Sequence, residues 1–246
     1  IKEFQGKQGI IILTDFAGAG KTTAFKKLVT ALKQKFPEIW VEYIDLKRHF
    51  KAYEEAEKEN LKSLTDFMAL KILKLKNFEL ALFKHLFEAG KTILLFDGVD
   101  EISPNFNQFI TDLFFNIAST TQNKMWISTR PECAEALEKK FSVRSIEFNP
   151  YTPEERSNFF DVYFKIINVG DDLKERKKVA IQCVELMEKG STDDERDVHN
   201  PLILRMIAEV SVHHDLTKEL NFYSLFDLFL PKKFTIVSKK GEVVVQ

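Results

Sequence analysis

Two kinds of segment alternate along the first 149 residues of the chain. Short apolar runs such as Ile10–Leu13 and Thr92–Phe96 are typical of strands that are buried on both faces of a parallel sheet. Between them, apolar residues recur three and four positions apart, which is the spacing of one helix face. This alternation predicts an α/β fold with a doubly wound, mostly parallel sheet. The predicted strands are 10–13, 39–45, 92–97, 124–129 and 143–148, and the predicted helices are 24–32, 64–89, 104–117 and 131–139.

The pattern changes near Asn149, where the strand signals stop. The segment Thr152–Glu155 has the capping-box spacing with proline at the first helical position, so a helix is predicted to begin there. We therefore predict an α/β domain over residues 1–149 and a helical domain over residues 150–246. The predicted helices of the second domain are 153–168, 172–189, 201–213 and 222–238, with a polar loop over 190–200.

A glycine-rich segment separates the first predicted strand from the first predicted helix. Its backbone N–H groups and the positive end of the helix dipole would face one anion, as in a phosphate-binding P-loop. Lys21 would reach the β- and γ-phosphates, and the Thr22 hydroxyl would bind Mg²⁺. The pattern G-x-x-x-x-G-K-[ST] has glycine where this chain has Asp15, a residue type that tolerates unusual backbone angles. The predicted nucleotide-binding residues are Ala17, Gly18, Ala19, Gly20, Lys21, Thr22 and Thr23.

An acidic motif follows the most apolar predicted strand. Asp97 comes at the carboxyl end of that strand, where open α/β sheets bind their ligands, and it is followed by Asp100 and Glu101. An acid at the first position can hold the shell of a Mg²⁺ ion, and acids one turn later can orient a water. The two motifs together indicate a phosphoryl-transfer site.

The order of these motifs resembles the NACHT class of signal-transduction P-loop ATPases. Two later stretches extend the resemblance, which covers residues 9–210. Trp126–Pro131 is similar to sensor 1 of the family, with Arg130 at the end of a strand. Asn200–Leu202 is similar to the start of a helix in the family's small helical domain, whose proline, here Pro201, packs against adenine.

The resemblance implies ATP or ADP and Mg²⁺ as cofactors, and it implies a role for each residue. Thr22 and Asp97 would hold Mg²⁺, and Arg130 would sense the γ-phosphate. Asp100 and Glu101 would position the attacking water, with Glu101 the favoured residue. Asn123-Lys124 is similar to a guanine-reading motif, but Trp126 stands where that motif requires aspartate, so adenine is the expected base.

The expected function is that of a slow ATPase, a nucleotide-controlled oligomerisation switch in a larger signalling protein, most commonly one of innate immunity. Self-association is expected of the full-length protein, with sensor and effector domains outside this chain. The resemblance also implies a winged-helix domain that closes over ADP, and the chain is expected to stop before it. The alternatives are a non-catalytic nucleotide-dependent scaffold and a P-loop kinase of small molecules, although no acceptor site or arginine-rich lid is evident.

Composition excludes several other classes. The 36 basic and 37 acidic residues nearly balance, which argues against nucleic acid as a partner. No apolar stretch has the length of a membrane span and no signal peptide opens the chain, so we expect no membrane partner. The amphipathic stretch 64–89 suits a membrane-active helix, but a helix pair that covers the sheet is the favoured interpretation. Cys133 and Cys183 are predicted to be unpaired thiols of a cytoplasmic protein.

Overall fold

The computed structural model describes most of the chain. The described residues are 9–49, 51–53, 55, 64–102, 107–120, 122–167, 172–190, 199–212 and 223–230. The chain divides into two compact units, residues 1–148 and residues 149–246. Within the described residues, no helix is long and apolar enough to cross a membrane.

A parallel four-stranded sheet forms the centre of the described part of the first unit. Its strands are β1 (Ile10–Thr14), β2 (Trp40–Asp45), β3 (Thr92–Asp97) and β4 (Lys124–Thr129), in the spatial order β1-β4-β3-β2. All six residues of β3 are buried, as a strand must be when helices cover both faces of its sheet. The predicted α/β fold with a parallel sheet is confirmed.

Helices cover both faces of this sheet. On one face, α1 (Lys21–Lys35) buries Phe25 and Leu32 against apolar residues of β1, β2 and β3. On the other face, a larger core includes residues from the remaining helices of the unit. These helices are α2 (Leu64–Phe67), which continues into a π-helical turn (Met68–Ile72), α3 (Asn77–Glu88), α4 (Asn107–Thr120) and α5 (Pro131–Phe141).

The strand predicted over residues 143–148 is reduced to a single bridge. Ile146 lies parallel to Leu13 of β1, donating to the Ile12 carbonyl and accepting from the Thr14 amide, both at 2.8 Å. The next residue that faces β1 is bonded elsewhere, because the Phe148 amide donates to the Asp15 carboxylate at 3.3 Å. The segment therefore adds one bridge to the edge of the sheet beside β1, and the prediction of a full strand was wrong.

The described part of the second unit is entirely helical. Its first helix begins at the predicted capping box, in which Thr152 Oγ1 accepts from the Glu155 amide and the Glu155 carboxylate accepts from the Thr152 amide. Its core includes Phe160, Cys183 and Leu204. The predicted extension of the last helix to residue 238 lies outside the described residues. The helices are α6 (Pro153–Ile166), α7 (Leu173–Gly190), α8 (Pro201–Ser211) and α9, residues 223–230.

Candidate nucleotide-binding site

The loop between β1 and α1 has the backbone of an anion cradle. Gly18 and Gly20 have φ values of 81° and 96°, in the left-handed region that favours glycine. A Cβ on Gly20 would meet no atom within 4 Å, so glycine is required there by backbone angle and not by lack of space. Gly20 is also the N-cap of α1, and no side chain caps this helix. The amide donors of its first turn therefore suit an anion.

Asp15 lies at the start of this loop and has no unusual backbone angle. Among described residues other than glycine, φ is positive only at Lys74, Asn77 and Ser142, so the expected need for an unusual backbone at Asp15 was wrong. Its carboxylate instead accepts from the Phe16 amide at 2.8 Å and from the Phe148 amide at 3.3 Å. The aspartate thus replaces the glycine of the pattern with two hydrogen bonds.

Lys21 is folded back onto the loop that it follows. Its Nζ donates to the backbone carbonyl of Asp15 and, at 2.9 Å, to that of Phe16. Burial lowers the pKa of Lys21 from its ordinary value, and the negative charges of Asp100, Asp15 and Asp97 oppose this fall. The ammonium group is therefore already held at the loop by weak neutral acceptors, which a phosphate could replace.

Asp97 is the most closely held acid of the site. It is the last residue of β3, and only 5% of the residue's surface is exposed. Ser128 Oγ donates to one carboxylate oxygen, and the hydroxyl of Tyr43 donates to the other at 2.7 Å. Burial, and after it the bond to Asp97, raises the pKa of Tyr43, so its phenol remains a donor. The Ser128 hydroxyl also accepts from the Gly98 amide at 3.0 Å.

The two acids after Asp97 point to different partners. They lie in a 3₁₀ turn (Val99–Glu101) that follows Gly98, whose φ is 81°. Asp100 forms an ion pair with Arg130 Nε at 2.8 Å, so the structure brings together two predicted site residues from different strand ends. Glu101 forms an ion pair with Lys47 at 2.8 Å, and both side chains of that pair are exposed.

Sequence reasoning missed Tyr43, Ser128 and Lys47. Tyr43 belongs to β2, Ser128 belongs to β4, and Lys47 follows β2 in a 3₁₀ turn (Leu46–His49). A signal for them was present, because each is a polar residue near the carboxyl end of a strand that adjoins β3. Using that signal requires the strand order, which periodicity does not supply.

The remaining predicted site residues belong to two different helices. Thr22 and Thr23 are exposed in the first turn of α1. Pro201 belongs to the second unit, where it is the first residue of α8, and the Asn200 side chain caps that helix by accepting from the Leu202 amide at 2.9 Å.

The donor set fits a Mg²⁺ ion that is bound together with a nucleotide. Among the residues described, no group of three or more His, Cys, Asp or Glu side chains could hold a metal ion. Mg²⁺ commonly takes one or two protein oxygen ligands and completes its shell with phosphates and water. The Asp97 carboxylate and the Thr22 hydroxyl are oxygen donors of that kind, and a nucleotide in the anion cradle would supply the phosphates.

Comparison with known proteins identifies the family. The NACHT domain model matches residues 10–166, which is more than half of the chain. The chain belongs to the NACHT family. The predicted resemblance is confirmed, and membership of this P-loop NTPase family implies nucleotide binding. No curated protein matches this NACHT sequence at a significant level.

Solved structures share the fold of this NACHT chain at low sequence identity. Domain III of the Thermotoga maritima replication initiation protein DnaA is 16% identical with a TM-score of 0.53, over 93% of this chain and 86% of that one. A Walker-type ATPase of Pyrococcus abyssi is 14% identical with a TM-score of 0.50, over 97% and 71%. The Aeropyrum pernix Orc1 protein in complex with DNA is 15% identical with a TM-score of 0.48, over 93% and 61%. The first two likenesses show the fold alone, and the exclusion of nucleic acid stays a prediction.

Proposed function

We propose that this NACHT module binds ADP and ATP with Mg²⁺ and hydrolyses ATP slowly, and that its nucleotide state controls self-association of a larger cytoplasmic signalling protein. The observation that supports this most is the set of charges around Lys21. Asp100 pairs with Arg130 at 2.8 Å across the carboxyl ends of β3 and β4, and both charges act on the pKa of Lys21, which supports one charged site shared by these strand ends and the phosphate loop. A site with a cation and both metal-binding and water-positioning acids suits phosphoryl chemistry.

Each residue has a task in binding. The amides of residues 17–22 bind the phosphates, and Lys21 exchanges the carbonyls of Asp15 and Phe16 for phosphate oxygens. Thr22 and Asp97 would hold Mg²⁺, which would neutralise the charge of the phosphates. The family resemblance implies that Pro201 packs against adenine, and that role stays a prediction.

The ion pair between Asp100 and Arg130 is the contact that we expect to differ between the ATP-bound and the ADP-bound protein. In this structure Asp100 occupies the guanidinium that would contact a γ-phosphate. ATP would draw Arg130 away from Asp100, whereas ADP would leave the pair intact. Such a change at one ion pair is a local event of the kind that a switch uses.

Hydrolysis requires a carboxylate that orients the attacking water and takes its proton. Glu101 is the residue that the family resemblance favours, and its pairing with Lys47 must break for it to reach the phosphate. The second candidate function is a non-catalytic scaffold that binds nucleotide without hydrolysing it, and it would leave this ion pair of Glu101 with Lys47 intact.

Release of inorganic phosphate from Mg²⁺-ATP tests the proposed function. We expect slow release that small phosphate acceptors do not change, together with larger species in sedimentation when ATP replaces ADP. Lys21→Ala supplies the background rate. Nucleotide binding without phosphate release would favour the scaffold, and release that falls while an acceptor becomes phosphorylated would identify a kinase. A sedimentation profile that is the same with both nucleotides would contradict the switch.

Base preference gives a separate prediction. We expect ATP to displace a fluorescent ADP at about a tenfold lower concentration than GTP, a difference of about 1.4 kcal/mol. The reason is that the chain lacks the aspartate of a guanine-reading motif, and the family resemblance implies that Pro201 packs against adenine. GTP that competes as well as ATP would contradict this assignment.

A further inference from the structure

Two hydroxyl groups hold the Asp97 carboxylate from the strands on either side of β3. Tyr43 donates to one oxygen at 2.7 Å and Ser128 donates to the other. Each carboxylate oxygen has two lone pairs, so one remains on each for a metal-bound water. The two donors fix the plane of the carboxylate and therefore the direction of the remaining lone pairs.

Strand register explains how Tyr43 reaches this position. Asp45 of β2 is the partner of Asp97, and Tyr43 is the partner of Leu95, so Tyr43 lies diagonally across from Asp97 on the same face. A diagonal neighbour in a sheet is within reach of a long aromatic side chain but not of a short one. Of the common hydroxyl side chains, only tyrosine can span this diagonal.

The ring of Tyr43 is also packed against the helix that follows the phosphate loop. It belongs to the apolar cluster between α1 and the sheet, and Lys26 Nζ of α1 lies 5.6 Å from the ring centroid. The first turn of α1 carries Thr22, the other proposed Mg²⁺ ligand. Tyr43 thus packs against the helix that carries Thr22 and donates a hydrogen bond to Asp97, the second proposed ligand.

We propose that Tyr43 is a positioning residue for the Mg²⁺ site, one that sets the orientation of the Asp97 carboxylate relative to α1. This inference rests on the proposed function, because it assumes that Mg²⁺-nucleotide binds here. Residues that orient a metal ligand in this way typically account for about 10- to 100-fold in metal affinity.

The test is the Mg²⁺ dependence of ADP binding to Tyr43→Phe, which removes only the hydroxyl. With fluorescent ADP, we expect the Mg²⁺ concentration for half-maximal enhancement to rise about tenfold or more. ADP affinity in EDTA should stay within about twofold of that of the unsubstituted protein, well below the tenfold change that 1.4 kcal/mol represents. The reason is that the hydroxyl bonds to Asp97 and not to the phosphate loop. The Asp97→Asn variant, which changes a proposed Mg²⁺ ligand itself, is the reference for the largest loss of Mg²⁺ dependence.

Tyr163→Phe is the matched control, because Tyr163 is another half-buried tyrosine, located on α6, whose hydroxyl bonds to Arg205 and Glu209 instead. Its Mg²⁺ dependence should be unchanged. An unchanged Mg²⁺ dependence in Tyr43→Phe would overturn the proposal, as would an equal loss of ADP affinity in EDTA. Failure of the unsubstituted protein to bind ADP would instead refute the proposed function.

A second measurement keeps the Tyr43 hydroxyl in place and so does not require the Tyr43→Phe variant to fold. With 3-fluorotyrosine placed at position 43, the ¹⁹F resonance should shift when Mg²⁺ is added to the ADP complex, and the same label at position 163 should not respond. A resonance at position 43 that ignores Mg²⁺ would show that the hydroxyl does not sense the metal site.

Discussion

Lys21→Ala is expected to weaken binding of ADP and ATP about a hundredfold or more, which corresponds to at least about 2.7 kcal/mol. The loss is large because phosphate would be left in the cradle without its cation. Within the described residues, the hydrogen bonds of Lys21 Nζ go to the carbonyls of Asp15 and Phe16 in its own loop. Its removal therefore breaks no contact between strands, and the fold should survive. Titration calorimetry with Mg²⁺-ADP measures the effect.

Lys27→Ala is the control for this experiment. Lys27 is an exposed lysine on the same helix, so its removal changes the net charge equally but leaves the phosphate loop intact. We expect its affinity to stay within about threefold of the unsubstituted protein, because isolated surface charges contribute little. Equal affinities for Lys21→Ala and the unsubstituted protein would refute the assignment of residues 17–23 as a phosphate loop.

Local sequence was sufficient for the parts of the site that are contiguous in the chain. The phosphate loop lies between β1 and α1, and Asp97 ends β3, so strand, turn and helix signals located both. The same holds for the capping box at Thr152, whose two hydrogen bonds join residues three apart. Such features depend on spacing along the chain, which the sequence displays directly.

The hydrogen bonds around the acids depend on strand order and could not be predicted in this way. Tyr43 and Asp97 are 54 residues apart in sequence, as are Lys47 and Glu101, and they meet because β2 adjoins β3. The predicted strand at 143–148 failed for a related reason. The composition suits a strand, but in a parallel ladder the next donor after Ile146 is the Phe148 amide, and it bonds to the Asp15 carboxylate at 3.3 Å instead of continuing the ladder.

Asp15 shows how a departure from a motif can be misjudged from sequence. Its replacement of glycine suggested an unusual backbone angle, whereas the structure places no positive φ there. The carboxylate instead bonds to the amide of Phe148, a residue that is 133 positions away in the chain. Only the folded chain shows that this position needs two acceptor atoms rather than glycine.

Glu101→Gln is expected to retain nucleotide but to slow ATP hydrolysis about a hundredfold or more, the usual contribution of a positioned general base. The amide keeps the size of the side chain and removes its ability to take a proton from water. The anion cradle and Lys21 are untouched, so ADP affinity should stay within about threefold, less than the tenfold that 1.4 kcal/mol represents. Single-turnover phosphate release and calorimetry measure the two quantities separately.

Two further variants decide between the neighbouring acids. Glu132→Gln is the control, since Glu132 is an exposed glutamate just after Arg130 and has no predicted part in the site. Asp100→Asn removes the acid that pairs with Arg130, so it should also change the relative affinities for ATP and ADP, an effect that Glu101→Gln should lack. Normal hydrolysis by Glu101→Gln with slow hydrolysis by Asp100→Asn would assign water activation to Asp100. That result would leave the ion pair of Glu101 with Lys47 as a surface contact, and the exposure of both its side chains is compatible with either outcome.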